Sequence, residues 1–134
     1  MNTISVYVCS PYSTAAEVRA LHTQMRCFGI IPCSLWAEHA LEHNDAEDFT
    51  KFSADELRII AEANDADLMR ADVVLVWSRE TGGRETYAEC ARAQVAGKPV
   101  LWLGRRTLSA YRAATTIVED SDEAIRLILA ARVA

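Results

Sequence analysis

In the segment "SRETGGRETYAECARAQVAGKPV", residues 78–100, one carboxylate stands apart: Glu89 lies among Tyr87, Cys90, Ala91 and Ala93, on a stretch whose spacing predicts a helix. An acid in such small, apolar company is costly unless it is paired, hydrogen-bonded or protonated. Gly82 and Gly83 precede the helix. Glycines there leave the first helical N–H groups open, and these groups, with the positive end of the dipole, favour an anion such as phosphate. One loop therefore offers an anion cradle and a nearby carboxylate. The ordinary alternative is that Glu89 faces solvent and pairs with Arg92 three residues on. The glycine pair alone is a common turn signal, and neither G-x-G-x-x-G nor G-x-x-x-x-G-K-S/T occurs.

Other reactive residue types form no comparable constellation. Cys9, Cys27, Cys33 and Cys90 show no C-x-x-C spacing and fall in apolar segments, so they are expected to be buried thiols. His39 and His43 are four apart and can share a helical face, but no third ligand accompanies them, and neither a metal nor another cofactor is expected.

The elements that must position Glu89 follow from periodicity. Residues 3–9, "TISVYVC", are β-branched and aromatic, and predict a buried strand ended by "SPYS". Ser13 or Thr14 then caps a helix in which Val18, Leu21, Met25 and Phe28 recur at steps of three and four, with Gly29 as its stop. "IIPCSLW" predicts a second strand, restricted by Pro32 to an edge or an end. Residues 37–52 read as a loop or short helical excursion, of the length that lids and binding loops have. A helix follows from Ser53 to about Ala71, opened by the capping box "SADE". Its apolar stripe is Leu57, Ile60, Ala61, Leu68 and Ala71, with Asn64 near the centre and Asp65 and Asp67 at the flanks. Strand "DVVLVWS", a helix over 85–96, strands "PVLWLG" and "TTIV", and the helix "DSDEAIRLILAARV" complete the chain.

Strand and helix alternate, and the central strands are continuous apolar runs. Both features predict a single α/β domain over residues 1–134 with a doubly wound, flavodoxin-like parallel sheet of five strands, order 2-1-3-4-5, covered by helices on both faces. Ligands of such sheets bind outside the carboxyl ends of the strands at the switch point between strands 1 and 3. That rule selects the loops "CSPYST" and "WSRETGGRE", the second of which leads to Glu89.

The succession "VYVCSPY", "AEANDADLMRADVVLVWS" and "TGGRETYAECARAQVAGKPVLWLG" resembles the nucleoside 2-deoxyribosyltransferase family and its nucleotide N-glycosidase relatives, over roughly residues 3–104 with 37–63 poorly matched. The resemblance implies a flavodoxin-like fold, and a glutamate, at the position of Glu89, that attacks the anomeric carbon of a deoxyribonucleoside. It implies too that Tyr7 hydrogen-bonds and orients that glutamate, though a tyrosine there also serves as ordinary core. Cleavage of an N-glycosidic bond passes through an oxocarbenium-like transition state, which an ionised carboxylate stabilises and can trap, while a second carboxyl group protonates the departing base. Two positions depart from the pattern. Ala91 stands where the family has glycine, and Asn64 falls where the family's acid is expected, an amide being unable to donate a proton as an acid does. Asp65 or Asp67 is then the candidate acid, or both are solvated helix charges.

Ser10, Pro11 and Tyr12 of the first loop, with the N–H groups around Gly82 and Gly83 and the side chain of Arg84, form a candidate 5′-phosphate site. Trp36 is a candidate to stack on the base, or else seals the core. The expected partner is therefore a small-molecule nucleoside or nucleotide, the activity cleavage or transfer at the N-glycosidic bond; the alternatives are a non-catalytic nucleotide-binding module and a regulatory flavodoxin-like domain. A net charge of -5 excludes a polybasic footprint for nucleic-acid polymer or anionic membrane. No apolar run reaches the roughly 18 residues of a spanning helix, and the N-terminus has no signal-peptide pattern, so a cytoplasmic location is expected. The resemblance also implies a homo-oligomer, with "RRTLSAYRAATT" as a candidate interface segment.

Overall fold

A computed structural model describes residues 3–40, 52–78, 84–104 and 115–133. The strands are β1 (Ile4–Cys9), β2 (Ile30–Pro32), β3 (Val73–Trp77), β4 (Val100–Leu103) and β5 (Thr116–Val118). All pair in parallel in the order β2-β1-β3-β4-β5. The helices are α1 (Ala15–Cys27), α2 (Trp36–His39), α3 (Ala54–Arg70), α4 (Arg84–Val95) and α5 (Ser121–Val133). The expected flavodoxin-like, doubly wound architecture is the one observed, with helices on both faces of the sheet.

Burial on both faces is why the strands are unbroken apolar runs. Along β1, alternation sends Tyr7 and Cys9 to one face and Val6 and Val8 to the other, all four buried. The register sets Tyr7 beside Val74, and Val74 beside Val100. Trp102 lies on the same face, its ring 5.7 Å from that of Tyr87 on α4.

Three local details depart from expectation. β2 ends at Pro32 and Trp36 opens a helix instead of closing a strand; proline has no N–H for the ladder, and after one further bond from Cys33 N to the Val6 carbonyl the chain turns away. Thr14 precedes α1 but does not cap it, because its hydroxyl is turned back to the Pro11 carbonyl at 2.5 Å and to Ser10. Cys27 is exposed, whereas Cys9, Cys33 and Cys90 are buried; all four thiols are free. Gly29 ends α1 with φ of 74°, the left-handed conformation expected of a helix stop.

The capping box of α3 is present: Ser53 Oγ accepts from Glu56 N, and Glu56 accepts from Ser53 N. Ser53→Ala is expected to lower stability by about 1 kcal/mol, seen as a lower denaturation midpoint with unchanged slope. The apolar stripe of α3 is less buried than its pattern implies. Leu68 and Ala71 are in the core, but Leu57 is 37% exposed, Ala61 is exposed, Asn64 is only half-buried, and the flanking Asp67 is buried. Length explains this. Seventeen residues of helix reach roughly 25 Å, against roughly 17 Å for the five residues of β3. Because α3 runs antiparallel to the strand it feeds, its N-terminal half overhangs the carboxyl rim of the sheet. Its other end is held by Lys98, whose Nζ donates to the carbonyls of Met69 at 2.9 Å and Ala71 at 2.7 Å.

Candidate active site

Thr86, Glu89, Cys90 and Ala93 recur at three- and four-residue steps along α4, and all four are buried. Glu89 therefore lies on the core face of α4, not on the solvent side with Arg92. It is 9% exposed. Across the sheet surface the Tyr7 hydroxyl donates a hydrogen bond to Glu89 Oε2, so the two residues are joined although 82 positions separate them in sequence.

Burial pushes the Glu89 carboxyl up to about 7, against the pull of the Tyr7 hydrogen bond and the Arg92 charge, which favour the ionised form. Glu85 and Asp65 add smaller upward contributions. Burial, and then the facing Glu89 charge, hold the Tyr7 hydroxyl far above the ordinary phenol range, so it remains a donor. The neighbouring thiols are raised as well, Cys9 by burial and then by Glu89, and Cys90 by burial to about 11. Both are neutral at physiological pH and are poor nucleophiles. Glu89 is thus a carboxyl that ionises near neutrality while shielded from water.

Removing the donor has a definite consequence. In Tyr7→Phe the carboxyl loses a hydrogen bond to its ionised form, so its midpoint is expected to rise above about 7. Stability is expected to fall by about 1–3 kcal/mol. A carboxyl-carbon NMR titration of Glu89 reads the first and chemical denaturation the second; an unshifted midpoint would mean that the hydrogen bond does not form in solution.

The two acids of α3 are placed differently. Asp65 Oδ1 lies 2.9 Å from Arg92 Nη2, linking α3 to α4 one turn beyond Glu89; that oxygen is sheltered from solvent, yet no N–H is aimed at it. Asp67 is buried and forms an ion pair with Arg70 on its own helix. The charge of Asp65 acts on Glu89, and that of Asp67 on Tyr7. Asn64, beside Asp65, is half-buried. Arg92 forms its ion pair with Asp65, not with Glu89, although its charge still acts on Glu89.

The first loop is tied down internally. Ser10 Oγ donates to the Trp77 carbonyl at 3.1 Å and lies 2.7 Å from Thr14 Oγ1, while Pro11 supplies the carbonyl bonded by Thr14 N at 2.9 Å. These bonds clamp the end of β1 to the end of β3, the switch point of the sheet. Tyr12 is half-buried with its ring 6.2 Å from that of Trp36, whose Nε1 donates to the Val8 carbonyl at 2.9 Å. Trp36 is itself buried. Gly82 and Gly83, the expected anion cradle, lie outside the described residues, as do the Arg84 side chain, residues 41–51 and most of "RRTLSAYRAATT". Among the described residues no cluster of three or more His, Cys, Asp or Glu is arranged to hold a metal. No described helix is long and apolar enough to cross a membrane.

No family model matches the chain, and no curated protein matches it in sequence. Solved structures do. A 2-deoxyribosyltransferase from Bacillus psychrosaccharolyticus superposes with a TM-score of 0.64 at 13% identity, covering 90% of each chain. A conserved protein from Enterococcus faecalis gives 0.67 at 16% identity, over 97% of this chain and 99% of that one. The CMP N-glycosidase of Clostridium botulinum gives 0.59 at 10% identity, over 92% and 97%. At such identities the likeness is one of fold, extending over nearly the whole chain.

Proposed function

We propose that the protein cleaves or transfers at the N-glycosidic bond of a nucleoside or nucleoside 5′-monophosphate, with Glu89 as nucleophile and Tyr7 as the residue that orients it. One observation carries this reading: a buried carboxylate, hydrogen-bonded to Tyr7, on the face of the sheet that two acids of α3 also approach. The similarity in fold to a deoxyribosyltransferase and a CMP N-glycosidase is consistent with it.

Burial raises the energy of ionised Glu89, so an approaching cationic centre is stabilised more than a neutral substrate is. As the bond from C1′ to the base nitrogen breaks, the base leaves with the electron pair and a Glu89 oxygen bonds to C1′. The departing base takes up a proton from water or from one of the candidate acids of α3, Asp65 or Asp67, when that acid is protonated in the substrate complex. Water or a second base then attacks C1′, and the bond to Glu89 breaks with return of the electron pair to the carboxylate. Because Glu89 must be ionised to attack, kcat/KM is expected to rise with pH through about 7.

The test is chromatographic detection of free base from a panel of deoxynucleosides, ribonucleosides and their 5′-monophosphates. Base released by the wild type and not by Glu89→Gln supports the reading. A second reading, a nucleotide-binding module without catalysis, has its own observation: Asp65 and Asp67 both face arginines, and Asn64 stands where the resemblance implies an acid. Nucleotides that raise the melting temperature while no base appears would favour it.

A further inference from the structure

Outside the candidate site, His22 on α1 is buried with both ring nitrogens engaged. Its Nε2 lies 2.7 Å from Ser34 Oγ and its Nδ1 3.0 Å from Glu38 Oε1. An ionised carboxylate only accepts, so Nδ1 carries the proton, Nε2 accepts, and the Ser34 hydroxyl donates. Serine, imidazole and carboxylate thus stand in the order of a hydrolytic triad. That chemistry is excluded by access, since Ser34 is 0% exposed and His22 1% exposed: no carbonyl carbon can reach the hydroxyl.

The arrangement holds a segment in place. Arg19, His22 and Arg26 are three and four residues apart and share one side of α1. Arg19 Nη1 donates to the Ala37 carbonyl at 2.9 Å, and Arg26 Nη2 donates to Glu38 Oε1 at 3.3 Å. All three side chains therefore grip residues 34–38. The α2 helix that begins in that segment has four residues, too few to hold its shape alone. Its conformation depends on the polar face of α1. The segment carries Trp36, fixed at the end of β1 through the Val8 carbonyl and set against the Tyr12 ring of the adjoining loop.

We propose that the Ser34–His22–Glu38 chain positions the segment carrying Trp36 and, through the buried Trp36 ring, the half-buried Tyr12 of the loop after β1, which adjoins the switch point where ligands of such sheets bind, and that His22 is a positioning residue for substrate binding there. The statement about substrate rests on the proposed glycosidic function; the mechanical one does not. Displacing the pair weakens substrate binding while leaving Glu89 and Tyr7, on the other elements, to do the chemistry.

The test uses His22→Leu and the milder Ser34→Ala, with Glu38→Gln as the conservative control that keeps an acceptor for Nδ1–H. Two quantities are read in the full-length protein: KM and kcat for base release, and hydrogen exchange of the Trp36 indole N–H, assigned by its loss in Trp36→Phe. His22→Leu and Ser34→Ala are expected to raise KM by about tenfold with kcat within about twofold of wild type, and to accelerate indole exchange; Glu38→Gln is expected to do neither. Unchanged KM and exchange in both variants would overturn the proposal, as would an equal loss of kcat without a change in KM. Should the wild type release no base, the glycosidic reading fails by itself, and the exchange rates still decide the latch: slow exchange in both variants overturns it.

Discussion

Glu89→Gln is expected to reduce base release by at least about 10³-fold while making the folded protein more stable at alkaline pH. The activity loss follows from removing the oxygen that bonds to C1′. The gain in stability follows from burial. In the unfolded chain the Glu89 carboxyl ionises near its ordinary value of 4.5, whereas in the folded protein it retains its proton until about 7. Between those values the folded state binds the extra proton, so stability is greatest below the unfolded value and falls as pH rises to the folded one. The loss approaches roughly 3 kcal/mol. Glutamine keeps an acceptor for the Tyr7 hydroxyl and carries no titrating proton. Relative to wild type, Glu89→Gln is therefore expected to gain stability progressively across this interval and to hold the gain above it. Urea unfolding at a series of pH values measures it; parallel pH profiles for the two proteins would mean that the Glu89 carboxyl is solvated.

Gly104→Ala is expected to have the largest effect on stability of any single-methyl addition considered, a loss of about 2–4 kcal/mol. Gly104 follows β4 with φ of 132°, a conformation that L side chains rarely adopt, and a Cβ there would stand 2.7 Å from the Ser78 carbonyl oxygen. The contact is with backbone, and Ser78 N is itself bonded to the Leu103 carbonyl at 2.9 Å, so a rotamer change cannot relieve it. The strain falls at the carboxyl rim, just past the end of β3. Gly97→Ala is a useful comparison: it too has positive φ, 74°, but nothing lies within 4 Å of the added carbon. Thermal or chemical denaturation is expected to show Gly104→Ala as the more damaging of the two; equal losses would show that backbone conformation alone, not the close approach of Ser78, sets the cost.

Much of the architecture was legible because it depends on local pattern. Continuous apolar runs in β1, β3 and β4 require a sheet buried on both faces, and the alternation with helices requires parallel pairing. Glu89 was legible as an anomaly, and the burial of Thr86, Cys90 and Ala93 shows why: the acid occupies a core position of a helical repeat. Its bond to Tyr7 was not, except through the family resemblance, since nothing in either segment alone specifies a partner 82 residues away. The same holds for Lys98, whose sequence setting marks a helix end but not the α3 carbonyls 27 and 29 residues earlier that it meets. His22, Ser34 and Glu38 were unreadable for a related reason: their types are common, and only the packing of α1 against the segment after β2 brings them together. The stripe on α3 misled because periodicity reports which side of a helix is apolar, but not how far the sheet beneath it extends.

The most direct test of the central claim is to quench the protein with a nucleoside or nucleotide whose sugar bears an electron-withdrawing fluorine at C2′. The substituent slows release of a covalent intermediate, and peptide mass spectrometry then locates the sugar. The account predicts a glycosyl mass on the peptide containing Glu89, absent from Glu89→Gln. A sugar mapped to another residue, or undiminished base release by Glu89→Gln, would contradict it.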